Sequence, residues 1–210
     1  MAIICPTVTA YNLNDYFHQL TDSLRLSRRI HLDIMDNEFT PVESFSLNDL
    51  DQFPRQCQVD LHMMVKKPFD YLSKIIQLKP YSVIIHNESE VDHMYFSAIL
   101  HQHDIFSGLA FLQETPIEYG YQIMNSFDQV MVFAGQLGGH SNQTDLNLLS
   151  KVQKALIQHP DVEIAWDGGI NDTNIIDLIN GGVNVLNVGS FISSSSQPQI
   201  AYDKLKVMIG

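Results

Sequence analysis

The stretch RIHLDIMDNEFTP, residues 29–41, places polar side chains inside what otherwise looks like a buried β-strand. Because side chains alternate along a strand, His31, Asp33 and Met35 share one face and three aliphatic residues share the other. An imidazole and a carboxylate on one face of a buried strand indicate a cavity on that side of the sheet.

Short apolar runs like this one alternate with longer amphipathic segments along the whole chain. Eight runs begin near residues 2, 30, 59, 82, 107, 129, 162 and 183, and the helices predicted between them span 14–26, 47–52, 68–77, 91–102, 117–125, 145–158, 172–180 and 199–208. This alternation predicts a parallel sheet with right-handed crossovers. The number of units favours a single (β/α)8 TIM barrel over residues 1–210, with an open doubly wound sheet as the alternative.

Composition limits the function classes. The chain has 210 residues, 45% of them hydrophobic, and no linker-like segment divides it, so we expect one globular domain. The net charge of −12 and the scattered lysines and arginines disfavour nucleic acid and anionic membranes as partners. An anionic substrate would have to be held by local donors such as backbone N–H groups.

The two cysteines, Cys5 and Cys57, have neither the spacing of a zinc ribbon nor that of a disulfide framework. The chain shows no signal-peptide pattern and no apolar run near the roughly 20 residues that a membrane span needs. We therefore expect a cytoplasmic protein.

Two further strands carry the same kind of polar residues. Asp60 and His62 alternate in VDLHMMV, residues 59–65, and Asp167 ends EIAWD directly before Gly168 and Gly169. Each has an ordinary explanation, since strand histidines are often hydrogen-bonded core residues and an Asp before Gly-Gly is often a turn residue. Together they converge on the rim where barrel active sites are built, and burying them there without a positive charge would be costly. A divalent ion such as Zn²⁺, Fe²⁺ or Mn²⁺ suits His and Asp ligands.

Glycine pairs form a second pattern. They follow the last three predicted strands, as Gly138-Gly139, Gly168-Gly169 and Gly189-Ser190. Any one pair is explained equally well as a tight turn. Three pairs on one rim indicate a phosphate site, because glycine lets backbone N–H groups approach an anion closely.

The ordered set of motifs resembles that of the ribulose-phosphate 3-epimerase family over nearly the whole chain. The matching motifs are CPT at 5–7, HLDIMDNEFTP at 31–41, DLHMMV at 60–65, HNE at 86–88, a methionine strand with a glycine-rich lid at 131–140, DGGI at 167–170 and GS at 189–190. The resemblance implies a 3-epimerase that interconverts D-ribulose 5-phosphate and D-xylulose 5-phosphate through an enediolate.

The resemblance also implies roles for individual residues. One divalent ion, Zn, Fe, Mn or Co, would be held by His31, Asp33, His62 and Asp167, and Asp33 and Asp167 would act as the catalytic acid/base pair. His86 and Glu88 are expected to be supporting or structural residues, and a homo-oligomer is expected because the family is commonly oligomeric. The implied substrate-binding residues are Thr7, Met35, Met64, Met131, Gly138, Gly139, Gly168, Gly169, Gly189 and Ser190.

Several positions depart from the family pattern. Thr7 replaces a serine, Asn37 a glycine and Glu38 a histidine, and the lid at 135–140 and the segment at 112–116 are altered. Asn37 is tolerable there if its backbone is left-handed. Because the predicted metal-binding and catalytic residues are retained, the sequence supports the reaction type more strongly than the particular substrate. A 3-epimerase of another ketose phosphate, of the allulose 6-phosphate type, and a catalytically weakened paralogue that binds a sugar phosphate remain the alternatives.

Overall fold

The structure, a computed structural model, describes residues 2–139 and 143–210. Eight parallel strands pair in chain order, and β1 pairs with both β2 and β8, which closes the sheet into a barrel. The strands are β1 Ile3–Thr9, β2 Arg29–Met35, β3 Gln58–Met64, β4 Ser82–His86, β5 Phe106–Phe111, β6 Gln129–Phe133, β7 Glu163–Asp167 and β8 Val185–Val188. The predicted (β/α)8 barrel is confirmed, and the open sheet is excluded.

The α-helices surround this barrel. They are α1 Leu13–Leu26, α2 Leu72–Leu78, α3 His93–Gln102, α4 Leu149–Gln158, α5 Ile175–Asn180, α6 Ser190–Ser193 and α7 Pro198–Ile209. Side-chain caps fix the start of two of them: Asn12 accepts the N–H of Asp15 in α1, and Asp92 accepts the N–H of Tyr95 in α3. Among the described residues, no helix is both long enough and apolar enough to cross a membrane.

Two of the predicted helices, at 47–52 and 117–125, are wrong. The first is a 3₁₀ turn at Leu47–Asp49, and the second consists of two 3₁₀ turns, Ile117–Gly120 and Met124–Ser126. A Cβ on Gly120 would lie only 2.3 Å from the Phe111 ring, so this segment lies directly against the barrel. A mid-segment glycine also weakens an α-helix, which explains the tighter turns.

The barrel interior has three levels. Strand register places polar residues at both ends, and the level between them is apolar. The middle level consists of Cys5, Ile84, Ala110, Met131, Ala165 and Val185, with Ile3 packed against it. It separates two groups of buried charges, one at each end of the barrel.

The group at the amino-terminal end, called here the lower cluster, consists of Arg29, Asp60, Ser82, Gln129 and Glu163. The guanidinium of Arg29 donates to Asp60 at 2.6 Å and to both carboxylate oxygens of Glu163, at 2.8 and 3.0 Å. Ser82 donates to the second oxygen of Asp60 at 2.7 Å. One arginine thus pairs with two carboxylates, which balances the buried charge of Asp60 and the partly exposed charge of Glu163.

Candidate active site

The group at the carboxyl end, called here the upper cluster, consists of His31, Asp33, His62 and Asp167, all buried. His62 Nδ1 lies 3.0 Å from Asp33 Oδ1 and 3.6 Å from Asp167 Oδ2. His31 Nε2 lies 3.4 and 3.7 Å from the same two oxygens. Strands β2, β3 and β7 thus bring two imidazoles and two carboxylates to one point, as their sequence positions predicted.

Among the described residues, the two carboxylates of the upper cluster form ion pairs with imidazoles alone. In the parts of the chain that the structure describes, no lysine or arginine forms an ion pair with these four side chains. Burial lowers the pKa of His31, but the nearby carboxylates of Asp167 and Asp33 outweigh it and raise the pKa to about 10. Burial also opposes the ionised form of Asp33, yet His31 and His62 hold its pKa well below the usual value. The pocket therefore attracts positive charge.

The residues present fit a divalent ion. One ligand atom from each of the four side chains can be chosen so that all four lie within 4.8 Å of one another. Both ring nitrogens of His31 are buried without a hydrogen-bond partner, which is costly unless another group binds there. Two imidazoles and two carboxylates are a donor set that Zn²⁺, Fe²⁺ or Mn²⁺ accepts.

An apolar wall covers one side of the cluster. Met35 and Met64 are paired in register at the ends of β2 and β3, and both pack with Phe133 at the end of β6. These three side chains line the pocket, as does Thr7. Met131, predicted to contact substrate, lies one level lower in the apolar middle of the barrel and is fully buried.

The structure places all members of the glycine pairs around the pocket: Gly138, Gly139, Gly168, Gly169, Gly189 and Ser190. Gly168 has φ +117, and a Cβ there would lie 2.2 Å from the backbone nitrogen of Gly135. Gly169 has φ +70, and its Cβ would lie 2.2 Å from the carbonyl oxygen of Gln143. Only glycine fits where these loops cross. His140, at the end of the predicted lid, lies outside the described residues.

Two polar residues of the site, Thr9 and Asn187, were not singled out by the sequence. Thr9 donates its hydroxyl to Asp33 Oδ2 at 2.6 Å and thereby fixes that carboxylate. Asn187 lines the pocket, and its Oδ1 is buried without a hydrogen-bond partner, like the hydroxyl of Thr7. The sequence signal was present, since Thr9 shares a strand face with Thr7 and Asn187 interrupts the apolar run of β8.

His86 is the third imidazole in the barrel. Its Nε2 lies 2.8 Å from His62 Nε2, and its Nδ1 lies 3.5 Å from Glu88 Oε2. Burial lowers the pKa of His86 to about 4, so the ring is neutral. His86 and Glu88 therefore lie next to the upper cluster, in contact with it through His62.

The loop after β2 is fixed by Asp36. Its carboxylate accepts the N–H groups of Glu38 and Phe39 at 2.8 and 2.7 Å, and that of Lys66 at 2.6 Å. Asn37 has φ 55, so the left-handed conformation expected for this replacement of glycine is confirmed. Glu38 is exposed and lies 4.0 Å from the Lys66 ammonium, away from the pocket lining.

The loop after β5 connects to the lid. The side-chain amide of Gln113 donates to the carbonyl oxygens of Ala134 and Gly135 at 3.0 and 2.7 Å. Lys151 of α4 donates to three carbonyl oxygens of the same loop, including those of Gln113 and Thr115. These contacts explain how a segment that departs from the family pattern still supports the start of the lid.

A closed (β/α)8 barrel whose pocket, at the carboxyl ends of the strands, is lined by buried carboxylates and glycine loops is typical of barrel enzymes. The comparison with known families then places the chain within that class. The sequence profile of the ribulose-phosphate 3 epimerase family matches residues 3–193, and the chain belongs to this family. It is accordingly an isomerase of the epimerase type.

Curated relatives agree with this placement. The chain is 28% identical over 183 residues to the ribulose-phosphate 3-epimerase of Helicobacter pylori strain 26695, covering 84% of each chain. It is 25% identical over 185 residues to that of Buchnera aphidicola, covering 84% of this chain and 81% of the relative. The match to the Aquifex aeolicus enzyme, 22% identical, covers 100% of this chain and 97% of the relative.

Solved structures confirm the fold. The 3-hexulose-6-phosphate synthase of Salmonella typhimurium superposes with a TM-score of 0.71 at 12% identity, over 100% of this chain and 98% of the other. A tryptophan synthase alpha-subunit from Pyrococcus furiosus gives a TM-score of 0.68 at 15% identity, over 100% of this chain and 98% of the other. At these identities the likeness concerns the barrel alone.

Proposed function

We propose that this epimerase is metal-dependent and interconverts D-ribulose 5-phosphate and D-xylulose 5-phosphate. The observation that carries the proposal is the upper cluster, in which two buried carboxylates share two imidazoles and, among the described residues, no lysine or arginine pairs with them. A divalent ion bound by His31, Asp33, His62 and Asp167 would supply the missing charge and polarise the substrate carbonyl.

The reaction needs a proton removed from C3 on one face and a proton returned on the other. Asp33 lies on β2 and Asp167 lies on β7. Strands β1 and β8 separate these two strands around the barrel. One carboxylate removes the C3 proton to give the enediolate, and the other returns a proton; the roles exchange in the reverse direction. Thr9 holds Asp33 in place by its hydrogen bond.

The remaining pocket residues support the same assignment. Met35, Met64 and Phe133 provide a water-poor surface beside the reacting carbon. The glycine loops offer backbone N–H groups to the phosphate, which meets the need for an anion site in a chain of net charge −12. The unpaired oxygens of Thr7 and Asn187 are available to hydroxyl groups of the open-chain sugar.

A panel of pentulose and hexulose phosphates, incubated with protein of measured metal content, tests this proposal. We expect the highest kcat/KM for D-ribulose 5-phosphate and one divalent ion per chain. Faster turnover of a hexulose phosphate would favour the allulose 6-phosphate alternative. Binding without turnover of any ketose phosphate by the metal-loaded protein would favour the weakened paralogue.

A further inference from the structure

Behind His62, a line of polar contacts leads away from the pocket. His62 Nε2 lies 2.8 Å from His86 Nε2, and the two fully buried rings stack with centroids 5.0 Å apart. His86 Nδ1 faces Glu88 Oε2 at 3.5 Å. The other oxygen of Glu88, Oε1, accepts the backbone N–H of Leu112 at 3.0 Å. Three side chains thus join the pocket floor to the loop after β5.

The tautomer of His62 determines the direction of hydrogen-bond donation along this line of contacts. Its Nδ1 faces the carboxylates of Asp33 and Asp167, so Nδ1 is the nitrogen that can bind a metal ion. A metal ligand must offer a lone pair, and a neutral imidazole then carries its proton on the other nitrogen, Nε2. Within the described residues, the hydrogen-bond partner of this Nε2–H is His86.

His86 can serve this purpose in one tautomer only. To accept a hydrogen bond from His62 Nε2–H at its own Nε2, His86 must be neutral and carry its proton on Nδ1, which faces Glu88. The rings of Phe39 and Phe133, with centroids 4.9 and 5.7 Å from that of His86, form an apolar environment that disfavours a charged imidazole. Glu88 is fixed by the N–H of Leu112 and presents its second oxygen to His86.

We propose that His86 and Glu88 are positioning residues that hold His62 in the tautomer whose Nδ1 is free to bind the metal ion. The inference rests on the proposed metal site and extends it by a second layer of residues. Outer hydrogen bonds of this kind fix the orientation of ligand imidazoles, and their loss typically lowers metal affinity about 10- to 100-fold.

Metal affinity measured by competition with a chromophoric chelator tests the proposal with Zn²⁺ alone as the probe. We expect His86→Leu to bind Zn²⁺ about 10- to 100-fold more weakly than the wild type. His86→Gln keeps an acceptor for His62 and should recover most of that loss, whereas Glu88→Gln should lose less. His93→Leu is the matched control, because the His93 side chain bonds only to the backbone carbonyl of His86.

Long-range ¹H–¹⁵N NMR of the Zn²⁺-loaded wild type supplies a readout that needs no variant to fold. We expect the proton of His62 on Nε2 and that of His86 on Nδ1; the opposite tautomer on His86 would overturn the proposal. Unchanged Zn²⁺ affinity in a folded His86→Leu variant would also overturn it while leaving the proposed function intact. A wild type that binds no Zn²⁺, Mn²⁺, Co²⁺ or Fe²⁺ would overturn both.

Discussion

The two ends of the barrel bury charge in different ways. The lower cluster contains its own cation, because Arg29 bonds to Asp60 and to both oxygens of Glu163. The upper cluster places two carboxylates near two imidazoles, and both ring nitrogens of His31 lack a hydrogen-bond partner. The charges of the lower cluster are thus balanced within the chain, whereas the buried ring nitrogens of His31 in the upper cluster have no hydrogen bond, which favours a ligand there. The comparison separates the structural group from the functional one.

The largest expected effect comes from the acids themselves. Asp33→Asn or Asp167→Asn should lower kcat by about 10²- to 10⁴-fold, because each removes a proton carrier. Asp60→Asn is the matched control, since Asp60 is also a buried aspartate on an inward-facing strand position, beside His31 in register. Steady-state kinetics of the three folded variants measures this. An equal loss of kcat in Asp60→Asn would remove the distinction between the clusters.

Removing the cation of the lower cluster should affect stability rather than activity. Arg29→Met leaves Asp60 buried without its partner, so we expect a loss of about 3–5 kcal/mol in the free energy of unfolding, toward the lower value because Glu163 is partly exposed. Urea denaturation checks the loss, and metal analysis should find the metal content unchanged. A cost below about 1 kcal/mol would mean that Arg29 is not needed to balance these acids.

A bound divalent ion should stabilise the upper cluster specifically. At a concentration 100 times its Kd, the ion should add about 2.7 kcal/mol to the free energy of unfolding. His31→Ala should abolish this gain, and Arg29→Met should keep it. Thermal denaturation with and without Zn²⁺ or Mn²⁺ measures the difference, and equal gains in wild type and His31→Ala would place the ion elsewhere.

The pH dependence of the metal-free protein should also separate the clusters. The pKa of His31 rises from 6.5 to about 10 on folding, so its contribution to stability is present below pH 6.5 and is lost as the pH rises through 10. The pKa of Arg29 is raised as well, so Arg29 stays charged over this range. Unfolding free energies in chelator, compared between wild type and His31→Gln, check the difference. Parallel pH curves for the two proteins would contradict it.

The smallest effect concerns the amide oxygens of Asn187 and Gln129, which are buried without a hydrogen bond. Asn187→Leu removes the buried unpaired Oδ1 and should stabilise the free protein by about 1 kcal/mol while raising KM about tenfold. Gln129→Leu is the control, because Gln129 Oε1 is equally unpaired but belongs to the lower cluster. Its KM should stay at the wild-type value. If the two variants change KM alike, Asn187 does not contact substrate.

The barrel fold and the inward-facing residues of the upper cluster could be predicted from the sequence, because both depend on the periodicity of apolar residues. The alternation of apolar runs determined the barrel, and the two-residue period of the strands placed His31, Asp33 and His62 on the inner face. The helix predicted at 117–125 failed because its packing against Phe111 is a tertiary contact that local pattern does not encode. The position of Met131 below the pocket likewise depends on the stagger of the strands.

The side-chain contacts of Asn187 and His86 could not be predicted for a related reason. A polar residue within an apolar run indicates a buried polar group, but whether its atoms have hydrogen-bond partners depends on neighbours from strands distant in sequence. His86 Nε2 meets His62 only because β3 and β4 are adjacent in the closed barrel. Such contacts follow from the three-dimensional register rather than from the spacing of residues.

Deuterium exchange at C3 of D-ribulose 5-phosphate tests the central claim most directly. The metal-loaded protein is incubated with the substrate in D₂O, and the H3 resonance is followed by NMR, with Asp33→Asn and Asp167→Asn as controls. We expect the H3 resonance to disappear as deuterated D-xylulose 5-phosphate forms. Both variants should slow the loss of H3 by orders of magnitude. An H3 signal that persists with wild-type protein carrying one divalent ion per chain would contradict it.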